Sequence, residues 1–145
     1  MLALPDRPIR LLEVPPDFRL RVVASAGAGF PSPAQDWEDD ALNLVELLNL
    51  DAASAFVFRV SGSSMVDAGV FDRDIVVIDR GSRPRDGAIV IAKVDGGFVC
   101  RQFVVRQGLP YIEARNAQQR YPSCLCDEAV EIWGVVRASV RDLKP

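Results

Sequence analysis

Short apolar stretches separated by turn residues dominate the chain from Phe56 onward. Stretches of this kind, rich in Val, Ile and Phe and bounded by Gly, Pro and Asp, predict β-strands rather than helices. Asp95-Gly96 lies between two of them and is a strong signal for a two-residue hairpin. The predicted strands cover residues 56–61, 74–79, 88–94, 97–105, 109–113 and 130–140. The pattern therefore predicts a mainly β fold, a single compact curled sheet or barrel-like body.

Two further elements precede these strands. Residues 18–22 alternate between apolar residues and arginine, which is the period of an extended segment. Residues 43–50 predict one short helix, because Leu44, Leu47 and Leu48 would share a helical face. We expect that leucine face to pack on the sheet.

A run of small residues joins the N-terminal part to the rest of the chain. The run is Ala24-Ser25-Ala26-Gly27-Ala28-Gly29, and Pro31 and Pro33 follow it. Small side chains leave backbone exposed and flexible, whereas the prolines stiffen what comes next. The run fits a plain hinge, and it equally fits a scissile loop that lies extended in a narrow cleft. On these residues alone the two interpretations are even.

Composition narrows the classes of function. The chain has 145 residues, nearly half of them apolar, which fits one domain with a core and a short arm. Its formal charge is -3 and it has no basic stripe, so direct binding to duplex DNA is not expected. No apolar run is long enough to span a membrane, and the N-terminus does not resemble a signal peptide. We therefore expect a cytoplasmic protein.

The chain contains no histidine, which removes Ser–His and Cys–His catalysis and most zinc sites. Its cysteines are Cys100, Cys124 and Cys126. An odd number in a chain without a secretion signal predicts free thiols. The single residue between Cys124 and Cys126 is an unusual spacing for metal ligands. No metal and no cofactor is expected.

The candidate chemistry lies in Ser61-Gly62-Ser63-Ser64-Met65, directly after the first predicted strand. A serine at the end of a strand sits on rigid backbone and can reach into a cleft, where an attacking hydroxyl is needed. Short Ser/Gly strings are also common in turns with solvated hydroxyls. For the pentapeptide alone, the solvated turn is the favoured interpretation.

The surroundings of this pentapeptide change that weighting. Ser61-Gly62-Ser63-Ser64-Met65 resembles the nucleophile motif of the LexA/UmuD self-cleaving peptidases, and Ala28-Gly29-Phe30-Pro31-Ser32-Pro33 resembles the UmuD cleavage site. The strands at 74–79, 87–92 and 133–136 resemble the family's strands in the family's order. The resemblance implies a LexA-type peptidase domain at residues 29–145 and an N-terminal arm, residues 1–28, that is removed by cleavage between Ala28 and Gly29.

The same resemblance implies that Ser64 is the nucleophile, but the expected base is missing. The family uses a neutral lysine on the second strand of the predicted hairpin, and that position holds Arg101. Arginine keeps its proton near neutral pH and cannot accept one from a serine. Lys93 is predicted to face away from Arg101, and Lys144 is close to the C-terminus. Self-cleavage is therefore predicted to be very slow or absent.

The resemblance further implies a homodimer in the SOS response to DNA damage. RecA filaments on single-stranded DNA would trigger cleavage, and the shortened form would join a UmuC-like subunit in translesion synthesis. A LexA-like repressor is disfavoured, because about 28 residues before the cut are too few for a helix-turn-helix domain. The alternative is a non-enzymatic dimer that binds a partner through the same fold and never cuts itself.

Overall fold

A computed structural model of the chain describes residues 44–50 and 52–144, together with the backbone of three short strands before them. In this described part, eight strands form one antiparallel sheet in the order β1-β4-β5-β10-β6-β7-β8-β9, and β2 pairs with β3 separately. The strands are β1 (Ile9–Arg10), β2 (Leu20–Arg21), β3 (Ala41–Leu42), β4 (Ala55–Arg59), β5 (Ile75–Asp79), β6 (Ile89–Val94), β7 (Gly97–Arg106), β8 (Leu109–Glu113), β9 (Cys124–Leu125) and β10 (Val130–Val140). A helix α1 (Leu44–Leu47) precedes β4, and a 3-10 turn covers Val66–Ala68.

The mainly β prediction is confirmed, and each of the six predicted strands is present within two residues of its predicted ends. The sheet is open rather than a closed barrel, since β1 and β9 lie at opposite ends of the strand order. The short strand β9 has no counterpart among the predicted elements. The helix is shorter than predicted and gives way to a turn at residues 48–50. Leu47 is 55% exposed, so the prediction that its side chain packs on the sheet is wrong.

The core covers both faces of the central strand β6. Val90, Ile91 and Ala92 are consecutive and fully buried, although alternate residues of a strand point to opposite faces. Ile91 packs in a cluster with Phe58, Met65, Val76, Ile78 and Cys100. Val90 and Ala92 pack on the other face with Ile112 and Val130. A strand buried on both faces gives the neighbouring hairpin strand a rigid support.

The hairpin between β6 and β7 has the predicted turn. Asp95 and Gly96 both have positive φ, 51° and 79°, as a two-residue turn matching the twist of antiparallel strands requires. This turn places Lys93 opposite Phe98 and Val90 opposite Arg101, which confirms the predicted pairing. Arg101 therefore lies opposite Val90 and on the same face of the hairpin as Ala92, and both of these residues are fully buried.

The N-terminal strands join the rest of the chain through backbone pairing. Ile9 and Arg10 pair with Val57 and Phe56 at the edge of β4. Leu20 and Arg21 of β2 lie within the segment predicted to be extended, and they pair with β3. Segments before and after the small-residue run are thus both hydrogen-bonded to other strands.

Candidate functional site

The loop that carries Ser64 is anchored on both sides. On one side, Val60 exchanges backbone hydrogen bonds with Asp74 and Arg73, at 2.9 and 2.7 Å. On the other side, the side chain of Met65 is 1% exposed and belongs to the core. Gly62, at φ 89°, makes the bend between the anchors, and its N–H donates to Asp72 Oδ1 at 2.7 Å. A glycine is suited to this position because other residues rarely adopt that φ.

A second loop holds the serine loop from the opposite side. The N–H of Arg115 donates to the carbonyl oxygen of Ser64 at 2.7 Å, and Asn116 Nδ2 donates to that of Ser63 at 2.8 Å. The carboxylate of Asp67 accepts the N–H of Ala117 at 2.6 Å. These contacts could not be predicted from the sequence, because the partners are far apart in the chain and follow no periodic pattern.

Arg101 reaches Ser64 directly. Its Nη1 donates to Ser64 Oγ at 2.8 Å and to the carbonyl oxygen of Cys100, also at 2.8 Å. The ring of Tyr121 lies 5.4 Å from the guanidinium carbon, within cation–π distance. The structure therefore brings together the serine and the residue-101 side chain that the sequence singled out. Tyr121 was not predicted to take part.

These side chains line one cleft of about 370 Å³. Its walls are residues 58–64 and 98–101, together with Tyr121. Phe58 and Phe98 make the walls partly apolar, and their rings pack 5.7 Å apart. The cleft thus combines an apolar wall, a hydroxyl and a cation, which suits a short extended peptide segment.

The charge on Arg101 is not neutralised by its described surroundings. Across residues 52–144, no carboxylate lies within ion-pair distance of Arg101, whereas Arg80, Arg106, Arg115 and Arg141 each pair with one. Burial lowers the pKa of Arg101. A guanidinium nevertheless keeps its proton near neutral pH. Arg101 can donate hydrogen bonds and stabilise negative charge in the cleft, but it cannot act as a base.

Neither of the two lysines of the chain is placed to act as the missing base. Lys93 is exposed, and its Nζ lies 6.0 Å from the centre of the Phe98 ring. Lys144 is exposed near the C-terminus. Neither residue lines the cleft. Ala28 and Gly29, the predicted cleavage site, lie outside the described residues.

The cysteines are all free thiols, which confirms their predicted state. Cys100 is buried, and burial raises the pKa of its thiol to about 12, so it is not a nucleophile near neutral pH. Among the described residues, no cluster of Cys, Asp and Glu is arranged to hold a metal ion. In the same part of the chain, no helix has the length and apolar character needed to cross a membrane.

Comparison of the sequence with known proteins identifies relatives. A family profile described as Peptidase S24-like matches residues 21–137. The chain is 39% identical to protein MucA of Salmonella typhimurium over 116 residues, which cover 78% of this chain and 77% of MucA. It is 38% identical to protein ImpA of Shigella flexneri, covering 75% and 74% of the two chains. Its identity to protein SamA of Salmonella typhimurium strain LT2 is 35%, covering 78% of each.

Proposed function

This chain belongs to the peptidase S24-like family as a UmuD-like member of its LexA/UmuD branch, and we propose that it is an SOS-response protein in which self-cleavage is impaired. The observation that carries the proposal is the hydrogen bond from Arg101 to Ser64 Oγ. It joins a serine in the family's nucleophile motif to a cation that cannot take its proton.

In the proposed scheme, Ser64 is the nucleophile and the Ala28-Gly29 bond is the substrate. Attack of Ser64 Oγ on the carbonyl carbon of Ala28 requires a base for the hydroxyl proton. The nitrogen of Gly29 would leave as an amine, and water would then release the Ala28 carboxylate. Every part of this scheme except the base has a candidate in the chain.

The absence of a base lowers the expected rate of self-cleavage. Loss of a general base lowers the reaction rate by roughly 10²- to 10⁴-fold, and by more where the nucleophile and base act as one unit. Residues 1–28 would then stay attached during long incubation of the purified protein. An active relative could still cut the arm, because the defect is in the enzyme half of the site and not in the substrate segment.

After cleavage, the product is proposed to be an accessory subunit of a translesion DNA polymerase. The family's pattern supports a cytoplasmic homodimer, RecA filaments on single-stranded DNA as the trigger, and a UmuC-like subunit as the partner. The net charge of -3 favours contacts with protein over direct contacts with duplex DNA.

The test is the intact mass of the purified protein after long incubation, with and without activated RecA filaments. We expect the wild-type chain to remain whole and Arg101→Lys to yield a fragment beginning at Gly29. The double variant Ser64→Ala/Arg101→Lys should yield none, because the cut then lacks its nucleophile. A Ser64-dependent fragment from the wild-type protein would contradict the proposed role of Arg101.

The second candidate function is a non-enzymatic dimer that binds a partner and is never cut. The unneutralised guanidinium beside Ser64 favours it, because a cation that donates to the hydroxyl does not help to deprotonate it. The same mass measurement separates the candidates. If Arg101→Lys also remains whole, and an active relative leaves the arm attached, the binding module is the better description.

A further inference from the structure

The guanidinium of Arg101 has N–H groups that make no hydrogen bond within the described residues. An arginine carries five N–H donors. Nη1 serves Ser64 Oγ and the Cys100 carbonyl oxygen, and within the described residues neither Nε nor Nη2 donates a hydrogen bond. The cation also sits in a cleft with apolar walls, where electrostatic attraction is stronger than in open water. Such a group is a ready partner for an anion with two acceptor oxygens.

Ser64 adds a second donor at the same place. Because Ser64 Oγ accepts the hydrogen bond from Arg101, the proton of its own hydroxyl is free to point elsewhere. A carboxylate entering the cleft could therefore accept from the guanidinium and from the hydroxyl together. The described residues of the cleft include no Asp or Glu that would repel it.

We propose that this cleft binds the free carboxylate at the C-terminus of an extended peptide, and that its occupant is the chain's own arm once it has been cut after Ala28. The arm would lie along residues 58–64 and 98–101, with its terminal carboxylate on Arg101 and Ser64. This inference rests on the proposed cut between Ala28 and Gly29. It adds that the cut arm is retained as a ligand.

The chemistry distinguishes the cut arm from the intact one. Before cleavage, residue 28 presents a neutral amide to Arg101. After cleavage it presents a negative charge and two acceptor oxygens, which add Coulomb attraction and allow a bidentate contact with the guanidinium. A catalytic lysine has to lose its charge to act as a base, whereas the arginine keeps its charge. Arg101 therefore favours the product over the substrate.

The test uses two synthetic peptides that match residues 21–28, one ending in a free carboxylate and one in an amide. Both carry an acetylated, dye-labelled N-terminal extension, and their binding to the full-length protein is followed by fluorescence anisotropy. We expect the acid to bind at least about tenfold more tightly than the amide, as for hydrogen bonds to charged groups. Equal affinity, or no binding by either peptide, would overturn the proposal.

Variants assign the effect to the guanidinium. Arg101→Met should abolish the preference for the acid. Arg80→Met is the matched control, because Arg80 lies outside the cleft and should leave the preference unchanged. An acid preference that survives Arg101→Met would place the carboxylate elsewhere and contradict the proposal.

Competition separates a peptide site from a simple anion site. If acetate or inorganic phosphate displaces the acid peptide as well as the unlabelled acid peptide does, the cleft recognises small anions and the peptide part of the inference is wrong. The peptides supply the carboxylate without any cleavage, so these results do not depend on whether the protein cuts itself. A wild-type protein that cleaves itself would refute the impaired self-cleavage but leave this measurement valid.

Discussion

Strand β7 carries two arginines, Arg101 in its middle and Arg106 at its C-terminal end, and the two have opposite surroundings. Arg106 pairs with Glu113 of β8, whose carboxylate also accepts hydrogen bonds from Arg115 and Ser123. Glu113 is 8% exposed, and the hydrogen bonds from Arg106, with those from Ser123 and Arg115, lower its pKa to about 2. In the middle of the strand, Arg101 contacts a hydroxyl, a carbonyl oxygen and an aromatic ring.

The difference shows how one residue type can serve structure at one position of a strand and recognition at another. An arginine whose charge is paired with a buried carboxylate holds two strands together and is not available to bind a ligand. A charge with no carboxylate remains available, and it costs stability to keep it partly buried. An Arg next to Ser64 is therefore a feature of the cleft, whereas Arg106 is a feature of the fold.

The largest expected effect is on self-cleavage and concerns Arg101 in the cleft. Arg101→Lys should raise the rate of cleavage by at least about 10²-fold over the wild type. The lysine would stand beside the buried Val90 and Ala92, and such surroundings lower a lysine's pKa from about 10.4. Because the neutral amine is the base, the rate should rise with pH until the lysine is fully deprotonated. The measurement is a series of fragment yields across pH by mass spectrometry.

The matched control is Arg106→Lys, the same substitution at the C-terminal end of the strand. It should give no fragment at any pH, because Arg106 does not line the cleft. Cleavage in both variants, or a rate in Arg101→Lys that is independent of pH, would show that residue 101 is not acting as a base.

The next largest effect is on stability and concerns Glu113. Glu113→Gln removes the carboxylate that pairs with Arg106 and Arg115. We expect the free energy of unfolding in urea to fall by about 1–3 kcal/mol, the usual cost of losing hydrogen bonds to a charged group. The preference of the cleft for the acid peptide should not change. A stability equal to that of the wild type would mean that this ion pair is replaceable by water.

The same residue predicts a difference in acid sensitivity. Its pKa is lowered on folding from about 4.5 to about 2, so its stabilisation is present above pH 4.5 and is lost as pH falls toward 2. Wild-type stability should therefore fall more steeply through this window than that of Glu113→Gln. Asp74, whose pKa is lowered by its hydrogen bond with Arg141, contributes equally to both proteins. Parallel urea titrations between pH 5 and pH 2 measure the difference, and identical slopes would contradict it.

The smallest expected effect concerns Tyr121. Tyr121→Leu removes the ring beside Arg101 and should weaken binding of the acid peptide by about two- to fivefold, in keeping with a partly exposed cation–π contact. The preference for acid over amide should persist, since the guanidinium remains. Loss of the preference would show that the ring, and not the charge alone, positions Arg101. Anisotropy titrations with both peptides decide between these outcomes.

Much of the strand framework can be predicted from sequence, because its signals are local. Asp95-Gly96 determines the turn, and the two-residue period then gives the pairing of Val90 with Arg101. The contacts that hold Ser64 from the second loop cannot be predicted in this way. Arg115 donates to Ser64 and Asn116 donates to Ser63 from a loop with no periodic pattern, over a long separation in sequence.

Leu47 shows a different limit. Its spacing from Leu44 and Leu48 fits a helical face, but the helix spans only Leu44–Leu47 and leaves Leu47 largely exposed. Periodicity indicates which residues share a face and not whether another element covers that face. The role of Ser64 and the cut at Ala28-Gly29 stay predictions, since they concern chemistry that sequence pattern and static geometry do not measure.

The pairing of β2 with β3 makes binding of the arm depend on an unbroken backbone. Arg21 and Ala41 are paired across a closed loop of intact backbone, so the two strands meet at a high effective concentration. Opening the backbone anywhere within residues 22–40 would make this pairing, and that of β1 with β4, an association between separate molecules. Strands of two residues are far too short to sustain such an association alone. The fraction of the cut arm that stays bound would then depend on protein concentration and on the contact proposed for its new carboxylate in the cleft.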